Sequence, residues 1–281
     1  MKFTEYQLEE AFIQLLVDQG YTYTRGDELS RSEEEVLIKD DLRDFLREQH
    51  RDDGITEDEI SNIIRKLEKL PASDLYDSNK SLMKWLADGI VFKRDDYTEK
   101  DILVQLVDYE NLHHNTFHIV NQMEILGYEK RIPDLILYVN GLPVVVFEFK
   151  SAIREEAPIS EAYDQLTIRY KRDIPELFKY NAFCVISDGV NNRAGSFFAA
   201  YEFFYSWRRI AGSDQEKDGF DSMHTMIKGM FKPKDLLNII HNFVFIPDSS
   251  KKDEKIVCRY PQYYAANALF ENIKTHQRPE G

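Results

Sequence analysis

Two apolar runs, Leu135-Ile-Leu-Tyr-Val139 and Leu142-Pro-Val-Val-Val-Phe147, flank Asn140-Gly141 and carry charge only at their outer ends: Arg131 and Asp134 before the first, Glu148 and Lys150 closing the second. β-branched and aromatic runs around Asn-Gly predict a hairpin. Its strands are too apolar to lie anywhere but in a core, so the terminal charges need partners or a bound cation to offset their desolvation. Glu148 and Lys150 are two residues apart and share one face of a strand. There a carboxylate can hold a divalent cation and an ammonium can sit beside an attacking water, the equipment of a metal-dependent phosphodiesterase.

Whether Asp134 joins that face depends on the turn. A two-residue turn at Asn140-Gly141 pairs Val139 with Leu142 and sets Asp134 opposite Phe147, away from Glu148. A three-residue loop, Asn140-Gly141-Leu142, with a bulge at the glycine sets Asp134 across from Glu148. The catalytic reading therefore demands an odd loop or a bulge.

Composition narrows the setting. At 281 residues and 43% hydrophobic, the chain can bury a substantial core. It has no apolar run of membrane-spanning length and starts on the polar Met1-Lys2-Phe3-Thr4, so a cytoplasmic protein is expected. Cys184 and Cys258 make neither a disulfide framework nor a zinc site, and His113, His114 and His118 lack zinc-motif spacing. The net charge of −14 opposes coating of nucleic acid. Residues 1–60 hold 7 basic against 18 acidic side chains, whereas residues 150–210 hold 9 against 8. Arg169, Lys171 and Arg172 cluster in the second region and are the candidate contacts to a phosphate backbone.

Thr4-x-x-Gln7, Ser32-x-x-Glu35 and Thr56-x-x-Glu59 each have the form that opens a helix, and a shorter helix is expected near Ser81–Asp88, stopped by Gly89. In the first helix Glu9 borders the apolar stripe of Leu8, Ala11, Phe12, Leu15 and Leu16, while Glu10 faces the polar side. Strands are expected at Ile102–Asp108, His118–Leu126, Leu135–Val139, Val144–Phe149 and Ala182–Ser187, with another at Phe197–Phe204 and a helix across Glu161–Tyr170. This order gives an α/β core with a mixed sheet and a helical insertion. The aromatic run Phe203–Arg209 serves either burial and domain contact or base stacking, burial being the commoner use of aromatics. Pro233 opens a further helix, Asp248–Glu254 is a polar linker, and no G-x-x-x-x-G-K-[ST] occurs.

Arg131-x-x-Asp134-x-x-Leu137-x-Val139-Asn-Gly-Leu-Pro143-x-Val145-x-x-Glu148-x-Lys150 resembles the N-terminal nuclease domain of type I restriction endonuclease R subunits, a PD-(D/E)xK nuclease, here Pro133-Asp134 and Glu148-Phe149-Lys150. Val107-Asp108, Asn115-Thr-Phe, Val120-Asn-Gln122, Ala162–Gln165, Tyr170, Leu177-Phe178, Tyr180-Asn181 and Ile186-Ser-Asp-Gly189 extend the likeness over essentially the whole chain. The resemblance implies a restriction-endonuclease-like nuclease domain over 1–248, with an insertion at about 31–89 and a catalytic core at about 100–210. It also implies that 249–281 is a linker and the start of a helicase-like motor, the chain being a fragment.

Further implications concern the site. Asp134, Glu148 and the Phe149 carbonyl would hold Mg²⁺, Lys150 would orient the attacking water, and Glu9 would complete the acidic set; the competing reading of Glu9 is a solvated flank carboxylate. Gln165 and Tyr170 correspond to the family's Gln-x-x-x-Tyr element but stand five apart. On an α-helix five residues overshoot a turn by about 140°, so either a helix distortion restores the pair or Tyr170 is core packing. Implied partners are double-stranded DNA and the methyltransferase and specificity subunits, with ATP acting only through a motor. The rivals are an idle DNA-binding or assembly module and a standalone nuclease of the same fold.

Overall fold

The computed structural model describes residues 4–94, 98–151, 159–213, 216–217, 219–248 and 252–276. Helix α1 (Glu5–Val17) opens on the expected capping box, Thr4 with Gln7, and buries Leu8, Glu9, Phe12, Ile13 and Leu16. Strand β1 (Thr22–Arg25) follows, short and mostly exposed, which is why no apolar signal announces it. The insertion consists of α2 (Lys39–Gln49), α3 (Glu57–Glu68) and α4 (Leu75–Asp88). Thr56 and Glu59 cap α3, and Gly89 ends α4 at φ 79°.

Ser32 and Glu35 do not start a helix. Glu35 accepts from the Ser32 N–H, as a capping box would, but the pair closes an isolated turn, and Arg31 donates to the carbonyls of Ser32 and Glu35. Val36 and Leu37 are then buried, and the Ile38 N–H reaches the Gly141 carbonyl at 3.0 Å, so tertiary contacts hold this stretch extended until Lys39. One half of the side-chain chemistry of a cap is present; the helix it would open is displaced by six residues, to an N-cap at Ile38.

A small hairpin, β2 (Ile90–Phe92) and β3 (Ile102–Val104), leads to β4 (Phe117–Asn121), a second small hairpin of β5 (Ile125–Leu126) and β6 (Lys130–Arg131), and the central strands β7 (Leu135–Val139) and β8 (Leu142–Phe149). β3 stops short of the expected Asp108, whose carboxylate turns the chain by accepting the N–H groups of Glu110 and Asn111. The expected strand His118–Leu126 is interrupted at Gln122, which is left-handed at φ 49°. After β8 come α5 (Ser160–Asp164), a π-helical turn (Gln165–Tyr170), α6 (Lys171–Asp173) and α7 (Pro175–Phe178), then β9 (Phe183–Ser187) and β10 (Asn192–Gly195). Phe197–Phe204 is not a strand: Tyr201–Phe203 form a 3₁₀ turn, and the edge place is taken by β10, whose polar Asn-Arg-Ala-Gly sequence lacks an apolar run. Helices α8 (Phe220–Met230) and α9 (Pro233–Asn242), the hairpin β11 (Val244–Phe245) with β12 (Ile256–Val257), and α10 (Tyr260–His276) complete the described chain.

Six strands form one mixed sheet in the order β1-β4-β7-β8-β9-β10, parallel at β1/β4 and β8/β9 and antiparallel elsewhere. Helices flank it, as the α/β reading expected; every residue of β7 and β8 is buried. Of the polar linker Asp248–Glu254, Ser249, Ser250 and Lys251 lie outside the described residues. Trp207 is buried against Tyr263 and Tyr264 of α10, so this part of the aromatic run serves packing.

The hairpin resolves the register question in a way that neither simple turn anticipates. Val139 pairs with Leu142 and Tyr138 with Pro143, so the turn is the two-residue Asn140-Gly141, both with positive φ. Leu137 then pairs with Val145, leaving Val144 as a bulge. Beyond it Leu135 faces Phe147, which brings Asp134 level with Glu148. The bulge sits inside β8, not at the glycine. The Val144 carbonyl accepts the Ala182 N–H at 2.7 Å, so the irregularity is tied to the next strand.

Candidate active site

Glu148 is wholly buried near the end of β8, yet both its oxygens are engaged: Lys150 Nζ lies 3.0 Å from Oε1, and the Tyr170 hydroxyl lies 3.0 Å from Oε2. Burial pushes the Glu148 carboxyl well above the usual carboxylate range and neighbouring Asp134 pushes it further, against Lys150 and Tyr170. Asp134, half-buried before β7, accepts the Phe149 N–H on Oδ2 at 2.6 Å. Its carboxyl is pushed up to about 7, chiefly by desolvation, with the Phe149 N–H and Lys150 opposing. Burial works against the Lys150 charge, but Glu148 outweighs it and holds the ammonium above its ordinary value. The Phe149 side chain points to the other face and stacks on Phe12 of α1 at 4.7 Å.

Gln165 and Tyr170 meet. The π turn between them absorbs the extra residue, and Gln165 Nε2 donates to the Tyr170 hydroxyl at 2.9 Å. That hydroxyl has a single proton and two acceptors in reach, Glu148 Oε2 and the Ile132 carbonyl at 3.2 Å. The result is a chain from Gln165 through Tyr170 to Glu148 and on to Lys150. Tyr170 is both packed in the core and in contact with the candidate site carboxyl of Glu148.

Glu9 looks inward, at 5% exposure, while Glu10 is exposed. It lies with Asp134, Asn121 and Gln122 on a cleft of about 530 Å³, held by the amides of the last two, and does not contact Glu148 or Lys150 directly. The basic trio divides. Arg169 and Arg172 line a second cleft of about 550 Å³ with Lys130, Arg131, Gln165 and Tyr170, whereas Lys171 lines another with Arg172. Arg172 and Arg131 both pair with Asp173, which reduces the charge they present. His118 is taken up by Asp41 and Thr24, and His114 by Asp108.

Among the described residues no three His, Cys, Asp or Glu side chains converge as a metal cluster. Asp134 and Glu148 nevertheless suit a hard dication: they are oxygen donors whose carboxyls burial pushes up, Asp134 pushes Glu148 up further, and a cation between them would relieve that cost. Asn121, Gln122, Lys130 and Arg131 were not among the expected site residues. For the first two the signal was a polar pair ending an apolar strand.

The family model described as the type I restriction enzyme R protein N terminus matches residues 2–203. The chain belongs to this family. It is 34% identical over 285 residues to the type I restriction enzyme HindI endonuclease subunit of Haemophilus influenzae, a match covering 95% of the chain and 26% of that protein. Against the putative type I restriction enzyme MjaIXP endonuclease subunit of Methanocaldococcus jannaschii it is 26% identical over 299 residues, covering 96% of the chain and 28% of the relative. A Staphylococcus saprophyticus relative, the SsaAORF53P endonuclease subunit, is 25% identical over 276 residues, covering 95% of the chain and 27% of the relative. The R-protein N-terminal chain thus spans about a quarter of the length of these curated relatives. No helix among its described residues is long and apolar enough to cross a membrane.

Proposed function

We propose that the chain is the Mg²⁺-dependent, PD-(D/E)xK-type DNA endonuclease domain of a type I restriction enzyme R subunit. In the whole cytoplasmic enzyme it would cut non-specifically after an ATP-driven motor has moved the DNA. The observation that carries this reading is the juxtaposition of Asp134 and Glu148 across the hairpin, with Lys150 on Glu148. Relatives named as endonuclease subunits support it; its partners would be double-stranded DNA and the methyltransferase and specificity subunits. Residues 1–248 would form the nuclease unit, and 249–281 the linker and the entry to the motor.

The work divides among the residues by charge. Asp134, Glu148 and the Phe149 carbonyl would hold Mg²⁺, which when bound neutralises phosphate charge and makes water acidic enough to attack at neutral pH. Lys150, kept protonated by Glu148, donates to the attacking water and steadies negative charge as it develops. Tyr170, its phenol held protonated by burial and by Glu148, donates to that carboxylate and fixes its rotamer, while Gln165 fixes the tyrosine. Arg169 and Arg172 face solvent, where a backbone phosphate can reach them.

The test compares three variants. Asp134→Ala and Glu148→Ala should weaken Mn²⁺ binding in calorimetry while the chain stays folded. Lys150→Ala should keep Mn²⁺ affinity within a few-fold but suppress cleavage in the assembled enzyme by roughly a hundredfold or more. Unchanged metal binding in both carboxylate variants would remove the site, and wild-type cutting by Lys150→Ala would make that lysine structural.

A further inference from the structure

β4 ends one residue before Gln122, whose backbone is left-handed at φ 49°. The other non-glycine residue with positive φ among the described residues is Asn140, where a two-residue hairpin turn demands it. Gln122 sits at a strand end with no such demand. A long side chain held in this conformation costs free energy that its surroundings must offset, and such residues concentrate at functional sites.

The conformation has a definite product. The Gln122 N–H donates to the Asp134 carbonyl at 3.3 Å, and the Gln122 side-chain amide donates to Glu9 Oε2 at 2.8 Å. The preceding Asn121 donates to Glu9 Oε1 at 2.6 Å and is itself fixed by the Tyr23 hydroxyl at 3.1 Å. Bare backbone beneath makes room for the bend: a Cβ on Gly26 would lie 2.4 Å from Met123 Cα and 2.7 Å from the Gln122 carbonyl oxygen. One strained residue thus joins the backbone of a candidate metal ligand to a buried carboxylate on α1.

The chemistry of the clamp matters as much as its geometry. Both donors to Glu9 are neutral amides, which fix a carboxylate without cancelling its charge, and each oxygen retains a second lone pair. An arginine or lysine in their place would neutralise it. Arg25 lines the same cleft, but its guanidinium is committed to Asp27 through two hydrogen bonds of 3.1 and 3.0 Å. Glu9 therefore has a fixed direction, and no cation paired with it among the described residues, in the cleft it shares with Asp134.

We infer that Asn121 and Gln122 are positioning residues for the divalent-cation site, holding Glu9 where it receives the water molecules of an ion bound by Asp134 and Glu148. This rests on the nuclease reading above. Outer partners that orient a metal site typically influence affinity or activity tenfold to a hundredfold.

The experiment is a calorimetric Mn²⁺ titration of the 281-residue chain, with a melting curve for each variant. Gln122→Gly removes the amide and the backbone strain together. It should lose about tenfold or more in Mn²⁺ affinity while melting at the same temperature or higher, a combination that a merely structural residue would not give. Asn121→Leu should also weaken binding. Glu9→Gln should lose at least as much as Gln122→Gly, and Glu9→Gln with Gln122→Gly should lose no more than Glu9→Gln alone, because both act through one carboxylate. Wild-type affinity in Gln122→Gly, or additive losses in the double variant, would overturn the inference. Asp134→Ala separates the two claims. If it abolishes Mn²⁺ binding and Gln122→Gly does not weaken it, only the clamp fails; if it binds like the unaltered chain, or the unaltered chain itself gives no heat, the metal site fails.

Discussion

A half-buried lysine and a buried one show how much a neighbour decides. Lys150 sits on Glu148 and is held above its ordinary pKa, whereas Lys255, 2% exposed, donates to the Asn79 side-chain oxygen at 2.8 Å and the Asn181 carbonyl at 2.5 Å. Without a carboxylate partner among the described residues, burial pulls Lys255 down to about 7. In the unfolded chain it keeps its proton up to about 10.4. Between those values the unfolded state binds more protons, so the residue's contribution to stability rises with pH; below pH 7 the penalty is present in full. Denaturant unfolding of the native chain and of Lys255→Met, compared at pH 6 and pH 9, should show the difference moving in favour of the native chain at pH 9. A difference independent of pH would mean that the buried ammonium keeps its charge.

At the scale of elements, the π turn carries the clearest prediction. It exists to fit six residues where an α-helix would use five, so removing one exposed residue should let the helix regularise with both ends in place. Deleting Ile168, 60% exposed, should leave Gln165 and Tyr170 in contact, with Mn²⁺ affinity preserved and the melting temperature unchanged or raised. A lower melting temperature with weakened metal binding would show that the π geometry itself is needed. The elements also show what the sequence could and could not convey. Capping boxes at Thr4 and Thr56, the hairpin and the inward turn of Glu9 were legible, because each follows from local spacing. The bulge at Val144 was not, since Val144, Val145 and Val146 are chemically alike and what distinguishes Val144 is its bond to the Ala182 N–H, just before β9. β1 and β10 were silent because exposed or polar edge strands carry no apolar run, and Ser32–Glu35 misled because the same side-chain bond closes a turn or opens a helix.

For the whole molecule, the distribution of charge matters more than its total. A chain of net charge −14 whose exposed arginines are partly paired with acids has little hold on DNA by itself. It also contains no phosphate-binding loop. The isolated chain should therefore hydrolyse no ATP and cut plasmid DNA poorly; on the proposed function, joined to a motor and its partner subunits, the same site should cut only when ATP is supplied, because translocation would deliver and retain the substrate. ATPase and plasmid-nicking assays on both preparations check this. Efficient ATP-independent cutting by the isolated chain would favour a standalone nuclease, and an assembled enzyme that never cuts would favour an idle module. The resemblance in sequence conveyed the family and the fold class, while the coupling of Glu9 to Asp134 needed the bend at Gln122, a backbone state that side-chain identity does not announce.

The bulge gives the hairpin one residue of slack, and the slack is lopsided. At the turn, Gly141 lies so close to Ile38 that a Cβ would come within 2.1 Å of its carbonyl oxygen, so that end cannot slide. Loss of any one residue from Val144-Val145-Val146 can be taken up by dissolving the bulge, leaving a continuous ladder in which Asp134 still meets Glu148. Loss of one residue from Leu135-Ile136-Leu137 has no such reserve and throws the two carboxylates out of step. Deleting Val146 should therefore preserve Mn²⁺ binding where deleting Ile136 abolishes it, although both remove one fully buried aliphatic residue from the same hairpin. Short deletions in this family should be tolerated on one strand of the pair and purged from the other.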